Sequence, residues 1–137
     1  MKVFLDTNVL IDYLLKREEG ETAAVEILLL GNSRALELFV SDLTIANAAY
    51  IVRKDYEISE FRRALRVLAQ CYSVASIGEH AVNQALLADW KDFEDSLQYY
   101  AAVDAGCECI VTRNIKDFSE SEIPVYSPTE FLSVLQK

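Results

Sequence analysis

Glycine and proline are scarce in this chain, with 4 and 2 among 137 residues. That scarcity excludes collagen-like, loop-rich and low-complexity chains. Cysteine is scarce as well: Cys71, Cys107 and Cys109 form an odd set without a CxxC pair. His80 is the sole histidine, so neither a disulfide framework nor a Cys/His zinc site is expected. Cys107 and Cys109 stand two apart in an apolar run and share one face of a strand, which reads as reduced core thiols. Basic residues are outnumbered, 13 Lys and Arg against 22 Asp and Glu, for a formal charge of −9. A field of that sign repels phosphates and excludes a general nucleic-acid coat. Such a chain meets nucleic acid only through a local basic rim or a bound cation. No apolar run is long enough for a membrane span, and residues 1–5 reach Asp6 before an apolar signal core develops. A cytoplasmic protein with no membrane partner is expected.

What is present is a core. Hydrophobic residues make up 52% of the chain, too many for disorder. Its length suits one domain over residues 1–137, burying roughly two-thirds of the unfolded surface. Residues 1–5 read as a buried strand, after which Thr7 and Asn8 are cap-type residues opening a short helix. A charged connection over 16–20 precedes a helix from 21 to about 30. A second strand at 36–40 leads through Ser41 or Asp42, as cap, into a helix reaching about 54. Ser59 is the expected cap of the next helix, which ends near 70, and 72–77 is a third strand. Helices follow at 78–89 and 92–106, then strands at 107–112 and 125–126. Ser127-Pro128-Thr129-Glu130 opens the last helix. Short strands alternating with helices predict an α/β fold, three-layered, with a parallel sheet covered on both faces. Function in such folds collects beyond the carboxyl ends of the strands.

Three acids belong to that edge. Asp6 ends the first strand, Asp95 lies in the first turn of the helix before the fourth, and Asp117 follows the fourth. Each has an ordinary structural use: Asp6 as a helix cap, Asp95 as a helix-dipole partner, Asp117 as a turn residue. Together they converge, and two carboxylates about 5 Å apart repel by about 3 kcal/mol at an effective dielectric of 20. A hard divalent cation removes that cost and binds oxygen, commonly through one or two carboxylates. The chemistry that follows is metal-assisted phosphodiester hydrolysis. Asp92 competes with Asp95, since the i, i+3 spacing puts both on one helix side.

The segments FLDTNVLIDYLL, DFEDSLQYYAA and CIVTRNIKDF, in that order and spacing, resemble the PIN domain family. The resemblance covers essentially the whole chain. It implies a five-stranded parallel sheet sandwiched by helices and a Mg²⁺- or Mn²⁺-dependent nuclease, many small members being toxin ribonucleases of toxin–antitoxin pairs. It places the catalytic and metal-binding acids on Asp6, Asp95 and Asp117. It puts orienting polar residues on Thr7, Asn8, Thr112 and Asn114; Arg113 and Lys116, which sit beside the proposed site in the sequence, are expected as substrate contacts. It further implies an RNA substrate, an antitoxin protein partner and a homodimer. One position departs. The family's usual second acid, in the helix after strand two, aligns with Asn47, which keeps hydrogen-bonding capacity but brings no charge. Asp42 is a candidate substitute. The alternative to an endoribonuclease is therefore a catalytically weakened module that binds RNA or protein. A haloacid-dehalogenase-like phosphotransferase needs a second Asp two after the first, where this chain has Asn8.

Arg53, Lys54, Arg62, Arg63 and Arg66 read either as a solvated face or as a rim for RNA phosphates. Trp90, Phe93, Tyr99 and Tyr100 read as packing residues, with base stacking as the other use. His80 reads as a surface or capping residue.

Overall fold

The computed structural model describes residues 1–136. The strands are β1 (Lys2–Leu5), β2 (Glu37–Ser41), β3 (Tyr72–Ala75), β4 (Cys109–Val111) and β5 (Val125–Tyr126). The helices are α1 (Thr7–Leu14), α2 (Glu21–Asn32), α3 (Asp42–Ile51), α4 (Ile58–Leu68), α5 (Glu79–Leu87), α6 (Phe93–Asp104) and α7 (Pro128–Leu135). A 3₁₀ turn spans Ile115–Phe118. The strands form one parallel sheet in the order β3-β2-β1-β4-β5. The chain winds outward from β1 to β3, then returns to lay β4 on the other side of β1. The strand order therefore reverses between β1 and β4, where open α/β sheets present their ligand crevice.

The two sheet faces follow from the pleat. Val3 and Leu5 join Leu38, Val40, Cys109 and Val111 in a core with side chains of α1, α2, α3, α4 and α7. Phe4 and Ile110 point the other way, onto Tyr99, Ala102, Cys107 and Phe118. Helix α6 thus covers the second face, with α5 packed against it through Ala81 and Ala85. A fully buried side chain such as Phe4 contributes about 1.5–3 kcal/mol over an exposed one. Strands one to five, all parallel, fall where the alternation of short strands and helices puts them.

Several boundaries differ. Helix α4 is capped by Glu57, not Ser59: Glu60 reaches back to the Glu57 amide at 3.1 Å, completing a capping box two positions earlier. Helix α3 ends at Ile51, short of 54, and β3 ends at Ala75, short of 77. β4 is shorter than 107–112 because pairing with β1 starts at Cys109. Of the expected caps for α3, Ser41 is the one, its hydroxyl accepting from the Thr44 amide at 3.0 Å. Gly106, at φ +80, follows the end of α6 in the left-handed region that glycine adopts freely.

Candidate functional site

Asp6 leaves β1 in extended conformation and caps α1, accepting from the Thr7 amide at 2.8 Å. Its other oxygen accepts from the Thr112 hydroxyl at 2.8 Å and the Asn8 amide at 3.1 Å. Thr112, buried just beyond β4, also takes the Asn114 amide proton at 3.0 Å. Asn8 accepts from the Arg113 backbone at 3.2 Å. The ends of β1 and β4 are thus stitched together around one carboxylate.

Asp92 caps α6, accepting from the Asp95 amide at 2.9 Å. This leaves the Asp95 side chain on the first turn, beside Asp6 in a cleft of about 360 Å³ whose wall also carries Thr7, Asn8, Asn47, Glu94 and Arg17. Asp117 is exposed on the 3₁₀ turn, and its charge acts on both Asp6 and Asp95. Burial holds the Asp6 carboxyl above its ordinary range, against the lowering pull of its Thr112 and Thr7 hydrogen bonds; Asp117 and Glu94 push it further. Burial likewise pushes Asp95 up to about 7, followed by the charges of Asp6, Asp92, Asp117 and Glu94.

A buried polar network fixes α6 against α1 and α3. Gln98, one turn beyond Asp95 and 1% exposed, accepts from the Ser41 hydroxyl at 2.5 Å. Its amide donates to the hydroxyls of Thr44 at 3.1 Å and Thr7 at 3.3 Å. Thr7 and Thr44 also share a hydrogen bond of 2.8 Å. The sequence offered one signal for Gln98: its i, i+3 relation to Asp95 puts both on one helix face. Thr44 carried none beyond its place in the helix after β2.

Arg113, expected as a substrate contact, has its guanidinium 2.7 Å from the buried carboxylate of Asp12 and 3.7 Å from Glu19. The Asp12 contact is close but not aligned as a hydrogen bond, so the pair is ionic. Asp12 is 0% exposed; a lone acid among Val9, Leu10, Ile11 and Leu14 was the sequence signal for it. Arg17, passed over in the sequence, is the basic side chain on the cleft wall. Lys116 stays exposed on the 3₁₀ turn. Asp42 lies outside the cleft wall, accepting from the backbone amides of Leu43 at 3.0 Å and Ile77 at 3.1 Å. Asn47 donates to Glu94 at 2.5 Å. Trp90 packs against Tyr99 with tilted rings and meets Phe118 edge to face in the second core, and His80 pairs with Asp104 at 3.0 Å.

Residues 2–116 match the sequence model of the PIN domain. The chain belongs to the PIN domain family. This PIN domain is 27% identical to Ribonuclease VapC1 of Aquifex aeolicus, over 95% of the present chain and 92% of the relative. It shares its fold with VapBC2 from Rickettsia felis, crystallised on a DNA fragment from the complex's own promoter. The TM-score is 0.67 at 17% identity, over 93% and 98% of the two chains. A toxin–antitoxin complex from Klebsiella pneumoniae gives 0.66 at 24% identity, over 92% and 97%. PIN ribonucleases are generally dependent on a divalent metal. The donor set here suits such an ion: all oxygen, with a buried carboxylate facing other carboxylates that a hard cation would neutralise. Among the described residues, no group of three or more His, Cys, Asp and Glu side chains is gathered closely enough to hold a metal ion.

Proposed function

We propose that this PIN domain is a divalent-metal-dependent endoribonuclease, the toxin of a toxin–antitoxin pair. One observation carries the reading: Asp6 and Asp95, distant in sequence, line a single cleft at the reversal point of the sheet. Asp6, Asp95 and Asp117 are the residues to hold Mg²⁺ or Mn²⁺. Bound there, the ion supplies Lewis-acid activation of water and neutralises charge developing on a phosphate. The protein's own part is orientation. Thr112, Asn8 and the Thr7 amide fix Asp6, and Asn114 is tied to the same hydroxyl. Arg113 and Lys116 are the cations to meet RNA phosphates, with Arg17 on the cleft wall beside them; Arg113 and Arg17 also pair with Asp12, at 2.7 Å and 3.9 Å.

The partner reading rests on relatives. The Klebsiella fold relative is a toxin–antitoxin complex, and the Aquifex relative is a ribonuclease. Leu86 and Leu87 of α5, 66% and 83% exposed, support pairing of two copies. Three free thiols favour a reducing cytoplasm. The test is cleavage of single-stranded RNA with Mg²⁺ or Mn²⁺, with chelator, and with Asp6→Asn. Cleavage is expected to stop with chelator and to fall about a hundredfold or more in the variant. Cleavage unchanged by both would refute the reading. RNA binding without cleavage would favour the weakened module, for which the uncharged Asn47 argues.

A further inference from the structure

We infer that Glu94 supplies the cleft's missing carboxylate, held in place by Asn47, so that the acid absent from α3 is delivered from α6 instead. The inference rests on the nuclease reading of this same cleft and deepens it.

The geometry is direct. The Asn47 amide nitrogen donates to a Glu94 carboxylate oxygen at 2.5 Å. Both side chains line the cleft that also holds Asp6 and Asp95. A carboxylate has two oxygens, and the amide engages one of them. Glu94 is exposed, so the other oxygen remains open to a ligand from solvent. An asparagine at 47 therefore places a negative charge without carrying it.

Chemistry also explains the pairing of residue types. A glutamate at 47 would stand against Glu94 with like charge at hydrogen-bonding distance, a repulsive arrangement. An amide donor there turns repulsion into a charge-assisted hydrogen bond. Asp42, the other acid near this helix, is engaged by the backbone amides of Leu43 and Ile77. Asp92 is occupied as the cap of α6. Glu94 is thus the acid in this part of the molecule whose side chain both reaches α3 and lines the cleft. Its neighbour Asp95 shares the first turn of α6, and the Gln98 network locks that turn against α1 and α3.

The experiment is Mn²⁺ binding to the full chain by calorimetry, alongside RNA cleavage. Four proteins are compared: wild type, Asp6→Asn, Glu94→Gln, and the exchange Asn47→Glu with Glu94→Gln. Glu94→Gln is isosteric and keeps a hydrogen-bonding amide beside Asn47. It is expected to weaken Mn²⁺ binding about tenfold or more, with cleavage falling in step. The exchange returns the acid to α3 and is expected to restore binding to within about threefold of wild type. If wild type binds Mn²⁺, Asp6→Asn abolishes binding and Glu94→Gln leaves it unchanged, the inference is overturned and the nuclease reading stands. If wild type neither binds Mn²⁺ nor cuts RNA, the nuclease reading itself falls.

Discussion

Asp95 titrates against its own fold. Burial and four neighbouring acids push its carboxyl from 3.8 up to about 7. Between about pH 4 and pH 7 the folded chain keeps a proton there that the unfolded chain has released, so stability falls as pH rises through that window. Asp95→Asn removes the effect. In melts without divalent ion, the variant is expected to match wild type near pH 4. At about pH 8 it should exceed it by on the order of 1 kcal/mol, a value discounted for the half-buried side chain. Equal melting at pH 8 would contradict this. A divalent ion competes with that proton, so Mn²⁺ should raise the wild-type melting temperature more at about pH 8 than at pH 5.5. Asp6 and Asp95, which line one cleft, were legible in the sequence because one ends a strand and the other opens a helix; Asp117, on the 3₁₀ turn, is not among the residues lining that cleft. Glu94 was not legible. Its first-turn position reads as a dipole partner, and only the fold brings Asn47 within 2.5 Å of it.

At the scale of elements, two polar clusters set where helices sit. Gln98 ties α6 to α1 and α3 through three hydroxyls. Gln98→Ala leaves buried hydroxyls unpaired and is expected to cost about 1–3 kcal/mol by chemical denaturation. It should also reduce cleavage, because the turn bearing Asp95 loses its anchor; unchanged stability would refute the network's role. The second cluster joins α1 to the segment after β4 through Asp12 and Arg113. Arg113→Ala strands a buried carboxylate, with an expected loss of about 3 kcal/mol, and adding Asp12→Ala should recover part of it. Gly20 belongs to this cluster. A Cβ there would lie 2.0 Å from the Asp12 carboxylate, so Gly20→Ala is expected to cost about 1–3 kcal/mol. Neither cluster was read from sequence in full. Ser41 showed itself as a cap, but its second partner, Gln98, lies 57 residues away on α6. Asp12 was passed over in the sequence, and nothing there tied it to Arg113. The cap of α4 was missed because Ser59 is the more typical capping residue, while the Glu57–Glu60 box needs two side chains acting together.

The whole molecule explains how an acidic chain handles an acidic polymer. The parallel order β3-β2-β1-β4-β5 follows from alternating short strands and helices, since each parallel connection needs a crossover. Strand order itself was not in the pattern of apolar residues: the resemblance carried by the three motif segments implied five parallel strands without their order, which the fold supplies. The order brings β1 and β4 side by side, and their carboxyl ends deliver Asp6 and Thr112 to one point. Helix α6 then adds Asp95 from the other face. A net charge of −9 makes that point repulsive to phosphate until a cation enters. The most direct measurement is anomalous scattering from crystals grown with Mn²⁺ and a nucleotide. The account predicts a peak in the cleft within bonding distance of Asp6 and Asp95 carboxylate oxygens. No peak there, or an ion bound elsewhere on the chain, would contradict it.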